Sequence, residues 1–264
     1  PVNFDDNPSS ATFANNDGNT AQEVYNDDIF VGYRYYDTFG KDVSYEFGYG
    51  GSYTTFAMQT QSVTADKDKV TVKVKVKNTG SVSGKEVAEV YFSAPDGELD
   101  KPYQELAGYA KTDELAPGES QILTISFDTK EMGSYDTDKA AYVMEDGDYI
   151  IRVGNSSRNT HVAGKISVAE DTITEQYSNL MVPVKDNPNV ADDEKYPTLE
   201  PMTTEGATSI TYDGEANEIA AAKTIEVDFT GYKAPEIIKE NEDVTVYTSD
   251  TTEEKYLFAK NEDG

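Results

Sequence analysis

The chain has 264 residues, a length that predicts one or two domains. Its 50 acidic and 22 basic residues give a formal net charge of −28, which argues against nucleic acid and anionic membranes as partners because both bind through basic surfaces. There is no cysteine, so disulfides, zinc–thiolate sites and thiol nucleophiles are excluded. No apolar run approaches the ~20 residues of a membrane-spanning helix. The chain opens on Pro1 rather than methionine, and we expect it to be trimmed or partial.

Two segments precede the first predicted domain. Residues 1–23 are rich in Asn, Asp, Ser and Gly and lack periodicity, which predicts an irregular linker. Within residues 24–58, the β-branched and aromatic run 29–37 predicts a strand. The run 47–53, FGYGGSY, cannot be a regular strand, because its glycines allow tight turns and close approach of the backbone to another surface. We therefore expect a strand followed by a loop that joins two packed layers.

Residues 59–169 predict an antiparallel β-sandwich. Within 70–76, valine alternates with polar residues, the period of a strand with one apolar and one hydrated face. Further strands are predicted at 87–92, 106–111, 122–127, 140–144, 149–153 and 161–168, and residues 145–148 are typical of a hairpin turn. Short strands with turns every ~8–12 residues are characteristic of an immunoglobulin-like sandwich. The side chains expected to face the core are Val70, Val72, Val74, Val76, Leu123, Ile125 and Phe127.

Residues 170–264 form an acidic tail that differs from the sandwich. Five prolines interrupt it, and its apolar pieces are short, at 219–222, 225–229 and 244–247. Such pieces cannot build a second core, because a unit below ~40–50 ordered residues rarely folds alone. We expect an extended connector that makes few contacts within itself and lies across the sandwich or its neighbours.

Several stretches of the chain match a known family pattern. Two lie before the sandwich, VGYRYYDTFG at 31–40 and FGYGGSYTTF at 47–56, and three lie within it, VKNTGSVSGKEVAEVYFSAP at 76–95, ELAGYAKTDELAPGES at 105–120 and GDYIIRVGNSS at 147–157. They resemble the junction segment and the fibronectin type III-like domain of glycoside hydrolase family 3, which includes many β-glucosidases and β-xylosidases. Two departures are visible, Asp27-Asp28 where the family usually has Glu-Gly, and Gly51 where it usually has Leu.

The resemblance implies a fold class and a domain order. The fold is all-β, an immunoglobulin/fibronectin type III-like antiparallel sandwich with an irregular N-terminal segment and a long extended C-terminal connector. Residues 24–58 are the junction strand and Gly/Tyr loop that complete an α/β sandwich domain, and residues 59–169 are the fibronectin type III-like domain. The tail 170–264 suits members with reversed domain order, in which the chain continues toward a catalytic barrel.

The resemblance also says where the chemistry lies. Family members are retaining glycosidases with two carboxylates, an Asp on the barrel and usually a Glu on the α/β sandwich domain. Neither motif is present, and no βαβα alternation indicates a barrel. We assign no catalytic residue, cofactor or metal ligand to this chain. The acidic turns 96–100 and 145–148 are only weak calcium candidates, and the single histidine, His161, is interpreted as a strand residue near the surface.

The aromatic junction is where we expect contact between domains. Rings in this stretch supply apolar area that fits an interface between packed layers. The candidate interface residues are Tyr33, Arg34, Tyr35, Tyr36, Asp37, Phe47, Tyr49 and Tyr53. The partners implied are the remaining domains of the parent glycosidase and, through the parent, a carbohydrate substrate.

Two functions remain open. The first is a non-catalytic structural portion of a family 3 glycoside hydrolase that braces the catalytic domains. The alternative is a stand-alone carbohydrate-binding or adhesion module of a bacterial surface protein, since exposed tyrosine rings can stack on sugars. The native gene either continues into barrel and α/β sandwich sequences or it does not, and this discriminates the two. The acidic, Asn/Thr/Tyr-rich sequence favours an extracellular or cell-surface location.

Overall fold

The computed structural model of the protein describes residues 1–13, 18, 25–177 and 202–235. Two α-helices and two short 3-10 helices, Phe4–Asp6 and Thr129–Met132, accompany eleven strands in this part of the chain. The helices are α1 (Tyr33–Thr38) and α2 (Glu215–Ala221). The strands are β1 (Phe56–Ala65), β2 (Lys69–Asn78), β3 (Val87–Ser93), β4 (Glu105–Lys111), β5 (Ser120–Asp128), β6 (Ser134–Asp136), β7 (Ala141–Met144), β8 (Gly147–Gly154), β9 (Thr160–Val168), β10 (Thr172–Gln176) and β11 (Thr224–Val227).

The strands form a sandwich and a small additional sheet. A three-stranded antiparallel sheet, β1-β2-β5, packs against a five-stranded sheet, β11-β9-β8-β3-β4, and the third sheet is β10-β7-β6. Alternating side chains of the two larger sheets meet in one core, since successive residues of a strand point to opposite faces. The expected all-β sandwich is thereby confirmed.

The predicted core residues lie where the alternation places them. All four alternating valines of β2 are fully buried, and the three apolar residues expected from β5 are 4–6% exposed. The lysines between the valines point to solvent. The register of β2 and β5 was therefore predictable, because a shift by one residue would exchange the apolar and hydrated faces.

The strand predicted at 29–37 is wrong. Residues 33–38 form helix α1, whose first backbone bonds run to the carbonyl of Gly32 from the N–H groups of Tyr35 and Tyr36. Helical spacing brings Tyr33, Tyr36 and Asp37 toward one side, where all three have partners outside the helix. Tertiary contacts thus override the strand preference of aromatic residues. The loop expectation for 47–53 holds, because no helix or strand occurs there.

The hairpin predicted at 145–148 is also wrong. β7 and β8 flank this turn but belong to different sheets, so the chain crosses between sheets instead of turning back on itself. The reason is Glu145, whose buried carboxylate accepts a hydrogen bond of 2.6 Å from the Glu98 N–H and pairs with Lys101. These contacts hold the turn against the loop 96–101.

The described part of the tail lies on the sandwich. β10 pairs with β7, and β11 extends the five-stranded sheet by pairing in parallel with β9. The apolar pieces at 219–222 and 225–229 correspond to α2 and β11, and Val227 enters the core, which therefore extends beyond 59–169. The piece at 244–247 lies outside the described residues. No helix in the described ranges is long and apolar enough to cross a bilayer.

The core predicts the outcome of a charge placed in β2. Val74 is fully buried, so Val74→Asp should unfold the sandwich, because an unpaired buried carboxylate costs several kcal/mol against a typical domain stability of ~5–15 kcal/mol. The matched control is Lys75→Asp, which puts the same carboxylate on the exposed face opposite Gln59 and Ile122. Thermal melting by circular dichroism measures both. An unchanged melting temperature in Val74→Asp would contradict the assigned register.

Candidate functional site

The outer face of the five-stranded sheet is the candidate functional site. Val90 and Ile151 point into the core, so their neighbours Glu89, Tyr91 and Arg152 point to the opposite side. These polar residues are nevertheless only 0–7% exposed. They are covered by two parts of the chain, which we call the junction segment (residues 25–55) and the returning tail (residues 202–222).

Helix α1 docks the junction segment through Tyr33. The Tyr33 hydroxyl accepts a hydrogen bond of 2.7 Å from the Leu106 N–H of β4. Its ring stacks on Phe47 with 4.8 Å between centroids and meets Tyr91 edge-on at 6.0 Å. Burial raises the pKa of Tyr33 above its ordinary value. The helix, the Gly/Tyr loop and strand β3 therefore share one aromatic contact.

A buried ion pair fixes the end of α1. Arg158, in the loop after β8, donates from Nε to Asp37 Oδ1 at 2.8 Å and from Nη2 to the Lys41 carbonyl at 2.7 Å. Asp37 is 1% exposed, and this burial raises the pKa of its carboxyl although Arg158 opposes the shift. Ser157 and Gln104 lie beside the same carboxylate. The pair ties the C-terminal turn of α1 to the sandwich.

Glu89 lies under the Gly/Tyr loop and contacts no cation among the described residues. Its Oε2 accepts a hydrogen bond of 2.6 Å from the Tyr91 hydroxyl. Burial raises the pKa of this carboxyl, and the negative charge of Glu86 adds to the effect. Gly48 lies directly on it: φ is +82°, and a Cβ there would be 2.5 Å from Glu89 Oε2. Only glycine satisfies both conditions.

Arg152 joins the sandwich to the returning tail. Its Nη1 lies 2.5 Å from Glu215 Oε1 at the start of α2, and its Nε donates to Ser93 Oγ at 2.9 Å. The guanidinium lies 4.8 Å above the Tyr103 ring, whose hydroxyl donates to the same Glu215 oxygen at 2.6 Å. The charge of Arg152 is thus compensated in a buried environment, as buried charges require.

The junction segment and the returning tail also contact each other. The Ile210 N–H donates to the Asp37 carbonyl at 2.8 Å. Gly40, at φ +58°, leaves room for the Thr208 carbonyl, which would lie 2.6 Å from a Cβ at this position. The Tyr103 N–H donates to Thr38 Oγ1 at 2.8 Å. The segments before and after the sandwich are therefore held together on a single sheet face.

The sequence-predicted interface residues divide into two groups. Tyr33, Tyr36 and Asp37 contact other parts of this chain, Arg34 pairs with Glu105 at 3.3 Å, and Tyr35 packs on Tyr36 and Phe39. The second group lies in what we call the aromatic loop (residues 45–53). There the exposed fraction is 45% for Phe47, 56% for Tyr49 and 99% for Tyr53. Tyr45 adds a ring 4.9 Å from that of Tyr49.

Sequence reasoning missed the residues through which the junction segment and the returning tail attach to the sandwich. They are Glu89, Tyr91, Tyr103, Arg152, Arg158 and Glu215. A signal existed for two of them, because Glu89 and Arg152 are charged residues inside otherwise apolar strands. A charge in a central strand indicates that its face is covered by a partner. The partner of Arg152 could not be predicted from the sequence, because Glu215 lies 63 positions further along the chain.

The weaker site candidates have structural explanations. The acidic turns 96–100 and 145–148 do meet, but Lys101 compensates the buried carboxylate between them. His161 is exposed on β9, with Nδ1 3.0 Å from Glu218 Oε1. Within the described ranges no group of three or more His, Asp or Glu side chains is arranged to hold a metal ion.

Comparisons with known proteins identify relatives of this arrangement. Residues 86–157 match the family model of the fibronectin type III-like domain. The chain is 38% identical over 227 residues to β-glucosidase A of Butyrivibrio fibrisolvens, covering 76% of this chain and 27% of that protein. A β-glucosidase structure from Paenibacillus barengoltzii matches with a TM-score of 0.62 and 44% identity, over 67% of this chain and 20% of that one. The structure of β-glucosidase 3B from Thermotoga neapolitana matches with a TM-score of 0.61 and 43% identity, over 65% of this chain and 24% of that one. The chain spans about a quarter of the length of these relatives.

Replacement of Glu89 tests the cost of the buried carboxylate. A raised pKa means that the contribution of Glu89 to stability is present at low pH and lost as the pH rises through the folded-state pKa. Glu89→Gln keeps an acceptor for Tyr91 but removes the charge. The variant should therefore be more stable than the parent chain at neutral pH, by about 1 kcal/mol, the cost of a poorly compensated polar group.

Urea denaturation at a series of pH values above and below 4.5, the ordinary pKa of Glu, measures this difference. The stability gap should widen as the pH rises. Glu114→Gln, at an exposed position, is the matched control and should show no such trend. A Glu89→Gln variant that is less stable than the parent at neutral pH would contradict the assigned environment.

Proposed function

Because the chain resembles a fragment of glycoside hydrolase family 3 β-glucosidases that carries a fibronectin type III-like domain, we propose that it is a non-catalytic structural part of such an enzyme. The parent would hydrolyse β-glucosides or related β-glycosides by the retaining two-carboxylate mechanism. The chain itself would brace the domains that carry these carboxylates. Its partners would be the α/β sandwich domain and the barrel of the parent, and the carbohydrate substrate would be bound by the parent's catalytic domains.

The observation that carries this proposal is the shared docking face. The segments before and after the sandwich both attach to it, through Asp37–Arg158 on one side and Arg152–Glu215 on the other. Fixed attachments of this kind set the direction in which each segment leaves the sandwich. A misplacement of ~1 Å at an active site can cost ~100-fold in rate, so a rigid connection has catalytic consequences without contributing a catalytic group.

The aromatic loop supplies the surface that faces the rest of the parent. Its rings are exposed, and exposed aromatic patches mark interaction sites. Residues 39–44 connect the loop to α1, which is anchored, and the stacking of Phe47 on Tyr33 sets the position of the loop relative to the sandwich. We propose that Tyr49 and Tyr53 pack on the α/β sandwich domain, to which residues 24–58 would belong.

The tail supports a parent in which the chain continues past the sandwich. The alignment with the Butyrivibrio enzyme covers 76% of 264 residues, about 200, so it must extend beyond residue 177 into the tail. This fits the proposal that residues 170–264 lead from the fibronectin type III-like domain toward a barrel. The rival function, a stand-alone carbohydrate-binding or adhesion module, is favoured only by the exposure of the aromatic loop.

The first test concerns catalysis by the chain alone. The purified chain should release no nitrophenol from aryl β-glucosides, because it carries neither catalytic motif, whereas the full-length parent should. A colorimetric assay at matched molar concentration compares the two. Hydrolysis by the chain alone that disappears on replacement of one of its Asp or Glu residues would overturn the structural role.

The second test concerns the bracing surface in the full-length parent. Tyr49→Ser combined with Tyr53→Ser should lower kcat/KM by roughly tenfold or more, because interface aromatics carry much of a docking energy and small misplacements slow catalysis. Tyr109→Ser is the matched control, since Tyr109 is 70% exposed on β4 outside the aromatic loop. Loss of binding to insoluble glucans with unchanged kcat/KM would favour the binding-module function instead.

A further inference from the structure

A cavity of about 710 Å³ lies between the loop 93–103 and the returning tail. Its deepest lining residues, Thr38, Pro102 and Arg152, are buried, whereas Asp96, Glu98, Asp100 and Glu205 around the opening are largely exposed. The volume is within the ~300–1,000 Å³ of typical small-molecule sites. Its lining also includes Tyr103 and Lys101, together with the hydroxyl residues Ser93, Thr203, Thr204 and Ser209.

The returning tail forms one wall of this cavity, and Asp100 holds that wall in place. Asp100 Oδ1 accepts hydrogen bonds from the Thr204 N–H at 2.8 Å, from Thr204 Oγ1 at 2.5 Å and from Thr203 Oγ1 at 3.3 Å. Because these donors favour the carboxylate, they hold the pKa of Asp100 below its ordinary value, although partial burial acts in the other direction. Residues 203–204, the part of the wall next to the opening, are thus held by one exposed acceptor, whereas the rest of the wall is attached through Ile210 and Glu215.

The charges of the lining restrict the kind of ligand. Both cationic side chains already pair with buried carboxylates: Lys101 pairs with Glu145, and Arg152 pairs with Glu215. The remaining charges are the four acidic residues at the opening, which disfavour an anion. Most lining residues are polar or charged, although Pro95, Leu99 and Pro102 add apolar surface, and this disfavours the largely apolar ligands that most pockets of this size accept.

The hydrogen-bonding groups of the lining restrict it further. Arg152 carries five N–H donors. Nε donates to Ser93, Nη1 is ion-paired with Glu215 but makes no hydrogen bond, and Nη2 has no acceptor among the described residues. Thr38 Oγ1 accepts from Tyr103, which leaves its own O–H to donate. The carboxylates around the opening are acceptors. An uncharged ligand with neighbouring hydrogen-bond donors and acceptors fits these lining groups.

We propose that this cavity binds a small neutral sugar, a monosaccharide or disaccharide. Each sugar hydroxyl both donates and accepts, which matches a mixed lining of guanidinium, hydroxyl and carboxylate groups. The ligand would contact the sandwich, α1 and the returning tail together, because Arg152, Thr38 and Thr203 come from these three parts.

The experiment is a titration of the full chain, labelled with ¹⁵N, with glucose and with cellobiose, followed by two-dimensional NMR. At least one of the two sugars should cause saturable shifts in the backbone amides of residues 96–103 and 203–209. Glucuronate, the anionic analogue of glucose, should bind more weakly at neutral pH because of the acidic residues around the opening. A glucuronate affinity equal to or above that of glucose would overturn the assignment to a neutral sugar.

Asp100→Ala is the decisive variant. It removes the acceptor of the three hydrogen bonds that order Thr203 and Thr204, and it should weaken binding by roughly tenfold or more, since a hydrogen bond contributes about 1 kcal/mol and tenfold is about 1.4 kcal/mol. Asp113→Ala is the matched control, an exposed aspartate that accepts a bond from Gln121 and does not line the cavity; its affinity should be unchanged. Both variants should keep the melting temperature of the sandwich, since both positions are exposed.

Three further results would overturn the proposal. They are the absence of saturable shifts with both sugars, equal affinity in Asp100→Ala, and shifts centred elsewhere, such as on the exposed rings of Tyr135 and Tyr142. The outcome is separable from that of the structural function, because sugar binding is measured on the chain alone and hydrolysis on the parent.

Discussion

The burial of charged groups on the outer face of the five-stranded sheet is the constraint on which the rest of the structure depends. Arg152 and Glu89 point away from the core because their neighbours in the strand fill it. Covering such a face excludes water, and a buried charge without compensation costs several kcal/mol. The returning tail therefore brings Glu215 to Arg152. Among the described residues Glu89 accepts a hydrogen bond from Tyr91 alone, and burial raises the pKa of its carboxyl.

We infer that these pairs contribute specificity more than stability. Replacement of a buried ion pair by apolar residues is often neutral or stabilising, because desolvation offsets most of the attraction. The pairs disfavour shifted positions of α1 or the tail, since a shift of one residue would leave Asp37 or Arg152 buried without its partner. A segment that is seated in only one way leaves the sandwich in only one direction, which is the property that a bracing domain needs.

Structure that follows from the alternation of apolar and polar residues was predictable from the sequence. Structure that depends on contacts between residues far apart in the chain was not. The β2 valines and the inward residues of β5 follow from a period of two and are buried as predicted. Helix α1 was predicted as a strand, because a short run of tyrosines has no period that separates helix from strand. Two contacts stabilise the helix. One joins Tyr33 to Leu106, 73 residues away, and the other joins Asp37 to Arg158, 121 residues away.

The same limit applies to the candidate site. The aromatic residues of the junction could be nominated, because their composition is unusual, but not the face that receives them. Glu89 and Arg152 stand out only as charges in apolar strands. At 145–148 the turn residues predicted a hairpin, whereas the chain crosses between two sheets there. The deciding group there is Glu145, whose partner Lys101 comes from another loop. Acidic turn residues give no local indication of such a partner.

The convergence of the two segments also links their attachments. Ile210 of the tail bonds to the carbonyl of Asp37, and Thr38 of α1 bonds to Tyr103, which in turn bonds to Glu215 of the tail. Release of the tail would therefore leave the end of α1 with fewer partners, and release of α1 would weaken the tail. A ligand in the cavity contacts both segments and favours the state in which both are attached. By linkage, attachment of the tail must then favour the ligand by the same free energy.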